Sequence, residues 1–115
     1  MPADHLTFAQ LLRQRVTMAQ AQRDALATAI EDMRIARSLT FADDEHDPEG
    51  STTSLDQARE AALLERTERT LSELRAAQQR LAVGTFGVCD VCGADIPDER
   101  LLVRPVARTC VPCSR

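Results

Sequence analysis

All four cysteines of the chain stand in its last 27 residues, as Cys89-x2-Cys92, a gap of 17 residues, and Cys110-x2-Cys113. A two-residue gap lets both sulfurs of a knuckle turn toward one ion, and Gly93 gives the backbone freedom just after the second of them. Two knuckles complete a tetrahedral thiolate site. Four soft thiolates favour Zn2+ and leave no open coordination position, so one structural Zn2+ held by Cys89, Cys92, Cys110 and Cys113 is expected. A rubredoxin-like iron site and paired disulfides are the competing uses of such spacing. The disulfides suit an exported chain, whereas this one opens Met1-Pro2-Ala3-Asp4-His5, without the basic-then-apolar order of an export signal, and a cytoplasmic protein is expected. The tail has few other means of holding itself together. Phe86, Val88, Ile96, Leu101, Leu102 and Val103 are its bulky apolar residues, so metal binding and folding of this part should be coupled. His5 and His46 lie far from the knuckles and are read as solvated.

Upstream of the cysteines the pattern is helical. From about Leu6 to Leu39 there is no Gly or Pro, and Ala, Leu, Arg and Gln dominate. Leu12, Ala19, Leu26 and Met33 recur every seven residues, with Ala9, Val16, Arg23, Ile30 and Arg37 interleaved at three-and-four spacing. Arg23 and Arg37 weaken this seam without abolishing it, because an Arg stem can lie along an apolar stripe while its guanidinium reaches water. A second arm is predicted from near Ser51-Thr52-Thr53-Ser54, whose hydroxyls can cap first-turn amides, to a stop before Gly84. Its seam runs through Leu64, Thr67, Leu71, Leu74, Gln78 and Leu81, and Ala58, Ala61 and Ala62 offer a smaller surface nearer its start.

Charge separates the arms. All 14 basic residues are Arg, and the net charge of −4 originates in residues 41–60, where 43–50 hold five acids and no base beside a Pro and a Gly. Like-charge repulsion with those two breakers disfavours helix there and predicts a polar turn. Two arms that each expose an apolar stripe, joined by such a turn, should fold back on one another. The expected fold is therefore mostly α: a long antiparallel α-helical coiled-coil hairpin over 1–83, with an acidic tip at about 40–51, and a small C-terminal four-cysteine zinc-finger module over 84–115. A monomer is expected, the alternative being that the stripes pair between chains.

The same features exclude several functions. With three aromatics and much of its apolar fraction as Ala, the chain has little material for the buried cleft of an enzyme, and a closed tetrathiolate is not a catalytic metal. No apolar run is long enough to span a membrane. Residues 89–115 carry no net charge even before thiolates are counted, which argues against a finger that grips DNA phosphates.

The blocks Gly84-Thr-Phe-Gly-Val-Cys-Asp-Val-Cys-Gly93, Ile96-Pro-Asp-Glu-Arg-Leu101 and Arg104-Pro-Val-Ala-Arg-Thr-Cys110 resemble the DksA/TraR family of bacterial transcription factors. The likeness is close over residues 84–113 and looser through the hairpin. It implies a non-enzymatic regulator that binds RNA polymerase directly and inserts its coiled-coil tip into the secondary channel, modulating promoter open complexes without a DNA site of its own. The resemblance also brings in the stringent response and the alarmone ppGpp, although no nucleotide-binding residue carries over to this sequence. Longer family members continue into a C-terminal helix, and its contacts are not expected here. The family's tip motif, Asp-x-x-Asp-x-Ala, has two counterparts. Asp44 and Asp47 keep both acids but are followed by Glu49 in the place of Ala, whereas Thr53-x-x-Asp56-x-Ala58 keeps the Ala and loses the first acid. Asp44, Asp47 and Glu49 are preferred as the polymerase-contacting tip because they fall in the predicted turn, and Asp56 and Ala58 are the second choice. A transcript-cleavage factor of the Gre kind also carries acids on a coiled-coil tip but resembles this sequence nowhere else. Outside the family reading, the chain would serve as a coiled-coil protein-protein interaction module with a structural zinc clamp.

Overall fold

The computed structural model describes residues 5–41 and 49–114, with side chains described for 5–39 and 54–114. Among them are the helices α1 (His5–Phe41), α2 (Glu49–Val83) and α3 (Asp98–Val103), followed by a 3-10 turn at Pro112–Ser114. α1 runs its whole length without a Gly or Pro. α2 starts earlier than its Ser/Thr cluster suggests: Glu49 and Gly50, the last residues of the stretch expected to resist helix, form its beginning. First-turn N–H groups have no intrahelical partner in any case, so the position tolerates Gly better than a helix interior does. The other end stops where the sequence places it. Gly84 takes a positive φ of 86°, and the Thr85 N–H donates to the Arg80 carbonyl at 2.9 Å, the six-to-one bond of a Schellman cap.

Burial along both long helices follows the three-and-four spacing. On α1, Leu12 and Ala19 are buried, and Ala9, Val16, Arg23, Leu26, Ile30 and Met33 half-buried. On α2, Thr67, Leu71 and Leu74 are buried and Leu64, Gln78 and Leu81 half-buried. The helical hairpin is antiparallel, and its core is the mutual cover of these two stripes. One correction concerns the start of α2: Ala58, Ala61 and Ala62 are exposed, and Gln57 and Glu60 continue the stripe instead. Spacing from Leu64, Thr67 and Leu71 places Gln57 and Glu60 on the seam, and Ala58, Ala61 and Ala62 lie one or two steps off it with nothing else to cover them.

Contacts divide the chain into two units. The first comprises Met1–Met18 and Leu71–Arg115. In it the opening turns of α1 lie against the last turns of α2, where Leu12, Leu71, Leu74 and Ala77 are all at most 4% exposed. His5 is bonded as well as exposed, its Nε2 lying 3.2 Å from the Leu81 carbonyl at the end of α2. The second unit, Ala19–Thr70, is more polar along its seam. There the Arg37 Nη1 donates to the Gln57 Oε1 at 2.7 Å, and the buried Thr67 hydroxyl donates to the Leu63 carbonyl at 2.9 Å. That hydroxyl satisfies itself one turn back and bonds nothing on α1. Thr67→Val is accordingly expected to stabilise the chain by about 0.5–1 kcal/mol, since it replaces a self-satisfied hydroxyl with a buried methyl. A urea midpoint that falls instead would show that the hydroxyl holds the seam together.

Candidate metal centre

Between Gly84 and Ser114 the chain makes two knuckles and one short helix. In the first, the Cys89 N–H donates to the Ala94 carbonyl at 2.8 Å and the Gly93 N–H returns to the Cys89 carbonyl at 3.0 Å, a tight turn for which Gly93 adopts φ 77°. A single antiparallel bridge, Val88 to Asp95, closes it. In the second, the Cys113 and Ser114 N–H groups both donate to the Cys110 carbonyl, at 3.1 and 3.0 Å. The knuckles are tied to each other by the Asp90 N–H on the Arg108 carbonyl at 2.8 Å, and by Arg108 Nε on Asp90 Oδ2 at 2.9 Å.

These turns bring Cys89, Cys92, Cys110 and Cys113 together with all ligand atoms within 4.8 Å of one another. All four are free cysteines. The Cys92 and Cys110 sulfurs are 3.7 Å apart, too far for a disulfide and close to the roughly 3.8 Å that tetrahedral ligands at about 2.3 Å from Zn2+ would show. Electrostatics agree with a site built for a cation. Backbone N–H groups, those of Cys92 and Cys110 foremost, lower the Cys89 thiol to about 6, while Cys113, whose proton is shared with Cys110, Cys92 and Cys89, is pushed up to about 12. The backbone N–H groups that favour a thiolate at Cys89 favour a bound cation there too, and the four coupled cysteines titrate as a set.

A small core carries the knuckles. Phe8, Cys89, Ile96, Leu101 and Ala107 form one buried cluster, with Leu11, Leu81, Phe86, Cys110 and Cys113 packed against it. The Phe8 and Phe86 rings lie 5.1 Å apart at 52°. α3 is six residues long and buries only Leu101, so Leu102 and Val103, which the composition of the tail suggests as core, are exposed, as is Val88 just before the first knuckle. Gly87 packs close beneath that helix, at φ 81°, where an added Cβ would meet Leu101 Cδ1 at 3.3 Å. Gly87→Ala is therefore expected to cost about 1–3 kcal/mol, from the left-handed backbone and the crowded leucine together. An unchanged melting temperature of the zinc-loaded protein would refute that reading.

Behind the second knuckle lies a cavity of about 600 Å3 with Arg80, Arg100, Arg104 and Arg108 in its wall. Burial, followed by the charge of Arg108, lowers the proton affinity of Arg80, which Asp90 partly offsets. The Arg80 Nη2 is buried and finds no hydrogen-bond partner among the described residues.

Of the proposed tip residues, Asp44 and Asp47 lie outside the described residues, Glu49 is the first residue of α2, and Asp56 and Ala58 are exposed on that helix. His46 also lies outside them.

Residues 84–115 match the prokaryotic dksA/traR C4-type zinc finger. Residues 84–115 are thus a finger of the DksA/TraR kind. The four cysteines of this DksA/TraR finger accordingly hold one structural Zn2+. The chain is 35% identical over 49 residues to the RNA polymerase-binding transcription factor DksA of Haemophilus influenzae, covering 43% of this chain and 34% of that protein. It is 35% identical over 68 residues to general stress protein 16O of Bacillus subtilis, covering 59% and 42%. Together with an uncharacterised Aquifex aeolicus protein, 40% identical over 45 residues, these matches span less than half the length of each relative. The fold is similar to that of transcription factor DksA2 from Pseudomonas aeruginosa, with a TM-score of 0.82 and 24% identity over 96% of this chain and 79% of that one.

Proposed function

We propose that this protein regulates transcription by binding RNA polymerase directly, with the acidic segment between α1 and α2 entering the secondary channel to modulate promoter open complexes. The single observation that supports this reading most is the finger of residues 84–115, joined to a fold similar to a DksA over nearly the whole chain. The helical arms suit it as well. Each covers the apolar stripe of the other within one chain, which supports a monomer free to offer its acidic end to a partner. No described helix is long and apolar enough to cross a membrane, and we place the protein in the cytoplasm with the polymerase. Its action is non-enzymatic, and it needs no DNA site of its own.

Asp44 and Asp47, with Glu49 beside them, are the residues proposed to act at the tip, by hydrogen bonding to mobile polymerase elements. The test is binding of the zinc-loaded protein to core RNA polymerase, alone and with the secondary channel already occupied. Saturable binding lost to the competitor is the expected result, and binding that the competitor leaves intact would overturn channel entry. The double variant Asp44→Asn, Asp47→Asn is expected to keep its zinc and its affinity for polymerase within about threefold while losing its effect on open-complex lifetime. Unaltered promoter effects in that variant would move the active residues to Asp56 and Ala58.

A further inference from the structure

The strongest unassigned side chain near the zinc is Arg100. It projects from α3, is half-buried, and its Nε donates to the Thr109 carbonyl at 3.1 Å. Thr109 immediately precedes the ligand Cys110. A donor fixed on a helix therefore sets the position of the peptide plane from which the second knuckle departs. The geometry points to Arg100 as a positioning residue of the zinc centre, holding Cys110 in place through the Thr109 carbonyl.

The surroundings of Arg100 support this assignment. The Asp90 to Arg108 pair also joins the knuckles, but its side chains are 47% and 62% exposed, so water screens it and its contribution is small. Arg100 by contrast bonds a backbone acceptor in a partly buried place, where the loss of the donor leaves a carbonyl without its partner. Its base is rigid too: Leu101, its neighbour on α3, is 2% exposed within the finger core. Positive charge contributes besides geometry. Arg80, Arg100, Arg104 and Arg108 share one cavity with Thr109 and Ser114, which adjoin the ligands Cys110 and Cys113, while four thiolates around Zn2+ leave a net charge of about −2. Lys keeps that charge but cannot offer a planar Nε at the same place, and so separates the two contributions.

The experiment measures zinc transfer from the intact zinc-loaded chain to a chromogenic chelator, and the sulfur-to-metal charge-transfer bands after Co2+ substitution, for Arg100→Met, Arg100→Lys and Arg108→Gln. Loss of a partner that orients a metal ligand costs about 10–100-fold in metal retention, so Arg100→Met and Arg100→Lys are both expected to release zinc about tenfold faster or more, with shifted Co2+ bands. Arg108→Gln is expected to stay within about threefold of the parent chain, as an exposed pair should. Full rescue by Lys would overturn positioning and leave charge alone as the role of Arg100. Parental release rates and bands in Arg100→Lys would overturn the proposal even if Arg100→Met failed to fold.

Discussion

Chelating the metal at neutral pH is expected to unfold the segment from Gly84 to Ser114, while the helical seam of α1 and α2 stays paired. The hydrogen bonds and contacts of that segment are too few to hold it alone. Its own contribution to the cluster is Phe86, Ile96, Leu101 and Ala107 with three of the cysteines, and it borrows Phe8, Leu11 and Leu81 from the helices. Structural Zn2+ contributes about 10–16 kcal/mol to the folding of finger peptides near pH 7, more than a few half-buried side chains can replace. Without the ion, the four cysteines crowd their protons and charge together at close range, a situation that already drives Cys113 up to about 12. Amide hydrogen exchange gives the direct measure. The N–H groups of Cys89, Ile96, Arg104 and Ala107, each bonded to a carbonyl of the finger, should lose their protection, whereas those of α2 around Leu71 and Leu74 should keep theirs. Circular dichroism should change little, since α3 supplies only six helical residues. Retained protection at those four amides after complete metal removal would show that the finger folds without zinc.

Phe8→Ala is expected to be the most damaging substitution outside the cysteines. Phe8 is 4% exposed, lies in the same cluster as Cys89, Ile96, Leu101 and Ala107, and packs its ring on that of Phe86. Removing such a ring costs about 3–5 kcal/mol, against a total stability of about 5–15 kcal/mol for domains of this kind. The tilted aromatic pair accounts for about 0.5–1.5 kcal/mol of that loss, so a double-mutant cycle with Phe86→Leu should return a coupling of that size. Urea titrations of the zinc-loaded proteins measure both quantities. A loss below about 1 kcal/mol for Phe8→Ala would mean that the finger does not depend on α1 for its core.

These two expectations mark where sequence reading succeeds and where it stops. The seam is legible because spacing alone selects it: Leu12, Ala19, Leu71 and Leu74 are buried whatever their neighbours. The cysteine cluster is legible for a similar reason, since a metal imposes its own geometry on two short turns. Phe8 is not, because it lies one position before Ala9 of the seam, and only the return of the chain brings Phe86 and Ile96 to it. Its rarity was the available signal, as one of three aromatics in the chain. Arg100 was hidden in another way. Nothing local distinguishes an Arg that bonds the Thr109 carbonyl from one that faces water, and the bond exists only once α3 folds over the second knuckle. The exposed Leu102 and Val103 show the converse, since apolar character cannot make a one-sided helix of six residues bury more than one face.

The unit that carries the zinc is assembled from stretches far apart in the sequence, with Phe8 and Leu11 in one and Ile96 to Cys113 in the other. During synthesis the first of these emerges long before its partners exist. Loop closure over such a separation is slow to gain from contacts made only at its ends, so the finger is among the last parts able to form. A nascent chain halted before Cys110 has both helices available but can neither complete the tetrathiolate nor cover Phe8. Metal acquisition on this chain therefore waits until translation has delivered the second knuckle.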